Sequence, residues 1–350
     1  TVSPLPGHEE NQADYLRRLL PALHAQRPDL RFVIFTGPTT HEIFDGWDRQ
    51  LMAPREQWGR RQPFFLQRTI QREAARLGVG VLVTPFEVAF RKPKVPTVLL
   101  ATDLQPWERA VAKGGWINEK RMARAAKRCQ GAHVIVVPSK FIQDRLLELL
   151  GVGIDRVVVA PPGVDSTFAE DQPPMAQQPY ILAVGDTHEV KNLPRLRAAL
   201  RQMKGEMAHS LVVVGRSGNA EPENWGPRVM RIDQCPVAQL AGLYQHSDLF
   251  VCPSLYDGSG RRVLEAMRAG ARIVASCVGA IPEVGKSIPL FFNPESVSSI
   301  VATLRRALKE SASERETHLR VGQKVAAQYT WERCAQQVLL AIEKGCRHYG

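Results

Sequence analysis

The stretch of the chain that most constrains its fold is residues 248–276, DLFVCPSLYDGSGRRVLEAMRAGARIVAS. An apolar run at 249–252 predicts a strand, and the apolar spacing over 261–269 predicts a helix. Gly270 is placed to end that helix, and a second strand begins at Ile273. Strand, turn, helix and strand in this order predict part of an α/β fold with a parallel sheet.

The turn inside this stretch combines glycines with two acidic residues. Gly258, Ser259 and Gly260 lead into the predicted helix, whose first N–H groups and positive dipole end suit a phosphate. Asp257 precedes the turn, and Glu265 lies further along the helix, where a carboxylate can accept both hydroxyls of a ribose. The stretch is therefore interpreted as a site for a nucleotide-linked ligand.

The rest of the chain repeats this alternation of strands and helices. It runs over residues 11–165 and again over 180–344, which predicts two Rossmann-like α/β domains with parallel sheets. Residues 166–178 are polar and contain prolines, a composition typical of a linker. Residues 37–62 have no clear period and are predicted to be irregular, either as an acceptor loop or as a surface loop with aromatic anchors. A ligand is expected in a cleft at the carboxyl ends of the strands.

Charge and composition restrict the partners. The chain has 350 residues and a formal net charge of +11, most of it in residues 1–165, which favours anionic partners such as phosphates and acidic lipid head groups. No nucleic-acid-binding motif accompanies this charge, so nucleic acid is not expected as a partner. No apolar run approaches the roughly 18 residues of a membrane span. The six cysteines have no metal-binding spacing and predict reduced thiols in a cytoplasmic protein.

Several motifs, in this order along the chain, resemble those of glycosyltransferase family 4 (group 1), whose fold is GT-B. They are GDTHEVKN at 185–192, VVG at 213–215, residues 253–265 of the opening stretch, and ASCVGAIPE at 275–283. A glycine-rich turn alone is weak evidence, whereas four motifs in the right order and spacing are specific. The second half of the chain carries these motifs, and the first half resembles the family mainly in the order of its elements.

The resemblance implies a domain organisation and an activity. It implies two Rossmann-like domains facing each other across a cleft. An N-terminal acceptor-side domain spans 1–165, a donor-binding domain spans 166–328, and a C-terminal helix at about 329–350 packs back on the first domain. Family members transfer a sugar, here expected to be a hexose, from a UDP- or GDP-linked donor with retention at the anomeric carbon, without a metal or another cofactor.

The acceptor and the location follow from the same resemblance. The acceptor is expected to be a glycan or a lipid-linked precursor of a cell-surface polysaccharide. The basic first half is compatible with peripheral contact between a cytoplasmic protein and the anionic inner face of the membrane.

The resemblance also implies roles for individual residues. Glu265 matches the acid that holds the ribose hydroxyls, Asp257 the acid near the donor sugar, and Lys191 the lysine that stabilises the leaving diphosphate. Asp103, after a strand of the first domain, either positions the sugar or caps the following turn. The other expected donor-site residues are Gly185, Arg216, Asp233, Gly258, Ser259, Gly260 and Arg261.

The chain departs from the family pattern at several positions. Asp186 stands where the family usually has arginine, and Thr102 where it frequently has histidine. An acid beside a diphosphate is unfavourable unless it points away, and either Arg261 or Arg262, which also depart from the pattern, is expected to restore the positive charge.

Alternatives remain open. Asp257 either contacts the sugar or serves the turn, and Lys191 is either a phosphate ligand or a surface lysine. The departures from the pattern keep open a second function, a catalytically impaired GT-B scaffold that binds nucleotide sugar or a partner protein. An epimerase acting on a nucleotide sugar has no support from the motifs.

Overall fold

The structure is a computed structural model that describes residues 9–36, 44–51, 62–85, 90, 92–102, 104, 108, 115–186, 188–216 and 228–349. The chain divides into two compact units, Thr1–Gly163 with Trp331–Gly350, and Val164–Thr330. Within the described ranges, no helix combines the length and the apolar character that crossing a membrane requires.

The described elements follow one another as an alternation of helices and strands. Up to residue 163 they are α1 (Glu9–Gln26), β1 (Val33–Thr36), β2 (Asp48–Leu51), α2 (Gln62–Arg76), β3 (Leu82–Pro85), β4 (Thr97–Leu100), α3 (Trp116–Gly131), β5 (Val134–Val137), α4 (Lys140–Leu150) and β6 (Val157–Val159). From residue 164 onward they are β7 (Tyr180–Val184), α5 (Leu193–Gln202), β8 (Ser210–Val214), β9 (Val229–Ile232), α6 (Val237–Gln245), β10 (Leu249–Cys252), α7 (Arg261–Ala269), β11 (Ile273–Ser276), α8 (Ile281–Gly285), β12 (Leu290–Phe292), α9 (Val297–Leu308), α10 (Ala312–Ala326) and α11 (Trp331–Tyr349).

The first unit is built on a four-stranded sheet in the order β3-β4-β5-β6, with all strands parallel. Strands β4 and β5 are mostly apolar and fully buried, as expected for a parallel sheet covered on both faces. A separate parallel pair joins β1 to β2. Strand β2 (DRQL) lies in the stretch predicted to be irregular, and that prediction is wrong for these residues because a short polar strand has no apolar period.

The last helix, α11, belongs to the first unit. Its buried face, which includes Val338 and Ala341, shares one hydrophobic core with Val98 of β4 and Val134 of β5. A Cβ added to Gly345 would lie 3.2 Å from Val98 Cγ2, which shows how closely the helix lies on the sheet. The core of this unit therefore joins segments from both ends of the described chain.

The second unit is built on a six-stranded parallel sheet in the order β12-β11-β10-β7-β8-β9. Counted along the chain, this is the strand order of a Rossmann fold, with the order reversing between β7 and β10. The two central strands are apolar and buried, and α5, α6, α7 and α9 contribute buried residues to the two cores that flank the sheet. The α/β fold class predicted from the sequence is confirmed.

The segment predicted to be a linker, 166–178, is packed against the second unit instead. Phe168 is 3% exposed and lies in the same core as Tyr244. The N–H of Gln172 donates to Gln245 Oε1 at 2.9 Å, and its carbonyl lies 2.7 Å from His246 Nε2. The linker prediction is wrong because backbone hydrogen bonds to α6, which composition does not reveal, hold this polar segment in place.

The six cysteines are all free thiols, in agreement with the sequence-based expectation. Cys129, Cys252 and Cys334 are buried, whereas Cys277 and Cys346 are exposed. Burial raises the pKa of Cys334 to about 11, so its thiol stays protonated at neutral pH.

Candidate functional site

The strand order of the second sheet creates a switch point between β7 and β10. From β7 the chain builds outward through β8 and β9, and it then returns to place β10 on the other side of β7. In open α/β sheets, ligands bind beyond the carboxyl ends of the strands at such a point. The loops at 185–192 and 253–260, which contain many of the predicted site residues, follow these two strands.

Two hydrogen bonds join these loops. The N–H of Leu255 donates to the carbonyl of Val190 at 2.7 Å, and Asn192 Nδ2 donates to the carbonyl of Pro253 at 3.0 Å. Asn192 also donates to the carbonyl of Pro294 at 2.8 Å and is 2% exposed. Sequence reasoning assigned no role to Asn192, because its partners, Pro253 and Pro294, are far away in sequence.

Lys191 lies in the first of these loops, at the end of a short 3₁₀ turn, Glu189–Lys191. Its aliphatic carbons cover Gly185, because a Cβ added to Gly185 would lie 3.1 Å from Lys191 Cγ and Cδ. The side chain is half-buried, and among the residues that the structure describes none forms a hydrogen bond or ion pair with its ammonium group. The switch point therefore holds a cation with no direct hydrogen-bond or ion-pair partner among the described residues.

The thiol of Cys252, at the end of β10, lies within the electrostatic influence of two predicted site residues. Burial and the negative charge of Asp257 raise the pKa of this thiol to about 11, and the positive charge of Lys191 partly offsets them. Lys191 and Asp257, which are 66 positions apart in sequence, are thus both close to the end of one strand.

The turn after β10 is closed by Asp257 itself. Asp257 Oδ1 accepts from the N–H of Ser259 at 3.0 Å and from that of Gly260 at 2.7 Å. These two amides, predicted to face a phosphate, are therefore engaged by the carboxylate, as in an Asx turn. Asp257 Oδ2 has no hydrogen bond to any described residue. A Cβ on Gly279 would lie 2.2 Å from the Asp257 carbonyl oxygen. The loop after β11, which contains Gly279, is therefore packed closely against this turn.

Glu265 is buried in the middle of α7, with 2% of its surface exposed. Its Oε1 accepts from Arg261 Nε at 2.8 Å, and its Oε2 accepts from Arg262 Nη1 at 2.8 Å. The Tyr244 hydroxyl, from α6, donates to Oε2 at 3.4 Å. The two arginines precede Glu265 by four and three residues, and helical geometry therefore places all three side chains on one face.

Electrostatics keep this carboxylate ionised. Burial by itself would raise the pKa of Glu265, but the charges of Arg262 and Arg261 and their hydrogen bonds hold the pKa below the ordinary value. Burial and the Glu265 charge both raise the pKa of Tyr244, so its hydroxyl remains a donor. Sequence reasoning missed Tyr244 because an isolated tyrosine in an apolar helix carries no signal of its partner.

The strands β8 and β9 place further predicted residues at the same edge of the sheet. A Cβ on Gly215 would lie 2.1 Å from the carbonyl oxygen of Gly185, so only glycine allows the ends of β7 and β8 to come this close. Arg216 is exposed, and its Nε donates to the side-chain carbonyl of Gln234 at 2.7 Å. Asp233, directly after β9, is exposed as well.

Asp186 and Thr102, the other two departures from the family pattern, are both described, whereas the predicted site residue Asp103 is not. Asp186 is exposed and its Oδ1 accepts from the N–H of His188 at 3.1 Å, so this acid engages its own loop. Thr102 is half-buried just after β4 in the first unit. Asp103 lies outside the described residues, and its predicted role stays a prediction.

The second unit thus brings together the residues predicted to bind a donor. They lie at the carboxyl edge of one sheet, on four of its loops and on α7; they are Gly185, Lys191, Arg216, Asp233, Asp257, Gly258, Ser259, Gly260, Arg261 and Glu265. Within the described ranges, no group of three or more His, Cys, Asp or Glu side chains is placed to hold a metal ion. The edge offers cations and a buried carboxylate, a set that suits a ligand with both phosphates and hydroxyls.

Comparison with known families gives matches over most of the chain. Residues 12–168 match the family described as "Glycosyltransferase Family 4". Residues 178–310 match the family described as "Glycosyl transferases group 1". The first match covers most of the first unit and the start of the second, and the second match covers all the second-unit loops described above.

Individual proteins are similar to the chain as well. The O-antigen chain mannosyltransferase B of Escherichia coli is 29% identical over 232 residues, which cover 61% of each of the two chains, less than two thirds of that enzyme. The sucrose-phosphate synthase of Thermosynechococcus elongatus superposes with a TM-score of 0.75 at 20% identity, covering 94% of this chain and 92% of the other. Anabaena HepE, solved with UDP-glucose, superposes with a TM-score of 0.72 at 14% identity, covering 98% of both chains.

Proposed function

The chain belongs to the family 4, group 1 glycosyltransferases and has the GT-B fold, and from this premise we propose that it moves a hexose from a UDP- or GDP-linked donor to a glycan or lipid-linked acceptor. We propose further that the transfer serves the synthesis of cell-surface polysaccharide, retains the anomeric configuration and needs no metal. The mannosyltransferase relative makes mannose the first donor sugar to test, and glucose the second, because HepE was solved with UDP-glucose.

The observation that carries this proposal is the half-buried side chain of Lys191 at the switch point. Its aliphatic carbons lie over Gly185, near the Asp257 turn, and its ammonium group has no hydrogen-bond or ion-pair partner among the described residues. A fixed cation in this position stabilises the charge that develops on the diphosphate as the sugar leaves, and it needs no reorganisation at that moment. Neutralisation by Lys191 supports a mechanism that is independent of a metal.

Glu265 and Asp257 are suited to bind the two other parts of the donor, the ribose and the sugar. Glu265 is ionised and buried, so it suits the ribose hydroxyls, which donate to a carboxylate. Asp257 uses Oδ1 for the turn and keeps Oδ2 for a hydroxyl of the donor sugar. The turn-capping and sugar-contacting roles of Asp257 are therefore compatible with each other.

Retention of configuration rests on the family resemblance. In this chemistry the leaving phosphate oxygen takes the proton of the acceptor hydroxyl, so no protein base is required. Proton NMR of the first-formed product, recorded before the anomers equilibrate, distinguishes the retained from the inverted anomer. Full activity in excess chelator is expected, and activity that depends on added divalent cation would remove the metal-independent part of the proposal.

The experiment that tests the function is a panel of UDP-, GDP- and ADP-sugars, read as donor hydrolysis and as transfer to simple glycan acceptors. At least one donor is expected to turn over in the wild-type protein. Lys191→Ala is expected to lower kcat by about 100-fold or more, the cost of removing one preorganised stabiliser of a developing charge. Lys324→Ala, an exposed lysine on α10 of the same unit, is the matched control and leaves kcat unchanged. Equal rates for the two variants would remove Lys191 from the mechanism.

A second function remains open because both oxygens of Glu265 and one of Asp257 are already engaged by the protein. In that case the chain is a catalytically impaired scaffold that binds a nucleotide sugar or a partner protein. Donor binding without turnover over the whole panel would favour the scaffold, and turnover of any donor would exclude it.

The location is also a proposal. We propose that the protein acts in the cytoplasm and contacts the anionic inner face of the membrane through its basic first domain, as the net charge of +11 favours. Co-sedimentation with vesicles of mixed anionic and zwitterionic lipids, lost at high salt, is the expected result. Equal binding to purely zwitterionic vesicles would contradict it.

A further inference from the structure

The carboxylate of Glu265 is covered by the protein. Only 3% of its side chain is exposed, and Arg261, Arg262 and Tyr244 all donate to it. A carboxylate has about four lone-pair positions, so occupancy alone does not prevent further hydrogen bonds. Lack of access does prevent them, because a ribose hydroxyl can reach Glu265 only after one of the covering side chains has moved.

The three donors are not equally held. Oε2 receives two donors, Arg262 and Tyr244, which come from different helices and fix this oxygen from two sides. Oε1 receives Arg261 alone. The Arg261 side chain is 29% exposed, and it lies at the first position of α7, where it can turn outward without passing through the core. Arg261 is therefore the donor that a ligand displaces.

The start of α7 gives the displaced arginine a new partner. Arg261 and Arg262 place two guanidinium groups at the first turn of α7, where both face Glu265, and the charge of Asp257 also acts on Arg262. A diphosphate brought to this turn lies beside the released guanidinium of Arg261. Arginine binds phosphate oxygens through two parallel N–H groups as well as it binds a carboxylate.

We propose that Arg261 is a diphosphate-binding residue that covers Glu265 until the donor arrives. A ribose hydroxyl replaces Arg261 Nε at Glu265 Oε1, and the released guanidinium binds the diphosphate of the same ligand. This inference rests on the proposed function of the site. The consequence is selectivity for nucleoside diphosphates. A nucleoside breaks the Arg261–Glu265 ion pair and gives Arg261 no new partner. A nucleoside diphosphate breaks the same ion pair, but its phosphates then bind the released guanidinium.

The test is isothermal titration of nucleosides and nucleoside diphosphates into Arg261→Ala and the wild type, with the base that the wild type prefers among uridine, guanosine and adenosine. The two ligands are expected to respond in opposite directions. The diphosphate binds about tenfold more weakly to the variant, as for the loss of one hydrogen bond between charged groups. The nucleoside binds more tightly, because the cover over Glu265 is gone. Arg268→Ala, at the other end of α7, is the control and changes neither affinity.

Three outcomes contradict the inference while leaving the site intact: equal losses for both ligands, no change for either, or a nucleoside that stays below detection in the variant. Arg261→Lys provides a second variant, should the alanine protein fail to fold, and its retained cation should restore part of the diphosphate affinity. Failure of the wild type to bind any nucleoside diphosphate is a different result, because it overturns the proposed function and the inference with it.

Discussion

At the scale of single residues, the Glu265 carboxylate shows what decides the state of a buried acid. Burial raises its pKa, and Arg262 and Arg261 reverse that effect, so the folded protein holds the group ionised below its ordinary pKa. The sequence shows an acid at this position and two arginines close to it, but it did not predict that the arginines would form ion pairs with the acid. Removing one arginine is therefore different from removing a surface charge, because the buried carboxylate would lose its compensation.

The lowered pKa of Glu265 predicts a specific pH dependence of stability. Because the pKa is lower in the folded state, the ionised group stabilises the protein at pH values above its unfolded pKa of about 4.3, and this contribution is lost as the pH falls through the folded pKa. Wild type and Glu265→Gln should therefore differ in unfolding free energy at pH 7, and this difference should shrink as the pH falls below about 4.3, measured by urea unfolding.

Glu295→Gln is the control for this measurement. Glu295 is exposed, and its substitution is expected to leave the pH dependence of the wild type unchanged. A difference between wild type and Glu265→Gln that stays constant from pH 7 to pH 3 would show that ionisation of Glu265 does not contribute.

At the scale of elements, local pattern predicted most of the second unit. The predicted bounds of β10 and α7 agree with the structure residue for residue, because one is an apolar run and the other a helical period, each bounded by glycine, proline or polar residues. The short helix α8 was missed, since five residues that begin with Ile-Pro carry too little period to be recognised. The close contact between the ends of β7 and β8 was not predictable, because it joins two loops about 30 residues apart.

That contact gives a prediction for Gly215. An added Cβ would lie 2.1 Å from the Gly185 carbonyl oxygen, a backbone atom that cannot turn aside. Gly215→Ala is expected to destabilise the second unit by about 2 kcal/mol or more and to weaken nucleotide binding, because Gly185 lies under Lys191. Urea unfolding and nucleotide titration measure the two effects.

Gly80→Ala is the matched control, because a Cβ there meets no atom within 4 Å. It should change stability by less than about 0.5 kcal/mol. A Gly215→Ala protein as stable as Gly80→Ala would show that the two loops separate at little cost.

At the scale of the whole molecule, the chain forms two units, and the first is completed by the last helix. Residues of α11 lie in one core with α1, β4 and β5, more than 170 residues earlier in sequence. The second unit, Val164–Thr330, contains the switch point and all the described residues of the candidate donor site. Stability of the first unit and nucleotide binding by the second are therefore expected to respond to different substitutions.

Val338→Ala tests this separation. Val338 is 1% exposed in the core of the first unit, and its truncation should lower the stability of that unit by about 2 kcal/mol. Hydrogen exchange should accelerate in peptides from β4 and β5, while nucleotide affinity stays unchanged. Val321→Ala, at an exposed position on α10, is the control and should leave both properties unchanged. Faster exchange confined to β7 and β10 in Val338→Ala would contradict the division.

The sequence by itself determined the α/β class, the alternation of elements and the glycine turn with its flanking acids. These are local properties, because the period of apolar residues and the residues that end each element depend only on residues close together in sequence. Only the tertiary structure decided that Asp257 closes its own turn, that Tyr244 and two arginines hold Glu265, and that segment 166–178 is packed. Such contacts depend on which elements the core brings together. Which opposite charges pair in a buried site is therefore determined by the packing of these elements.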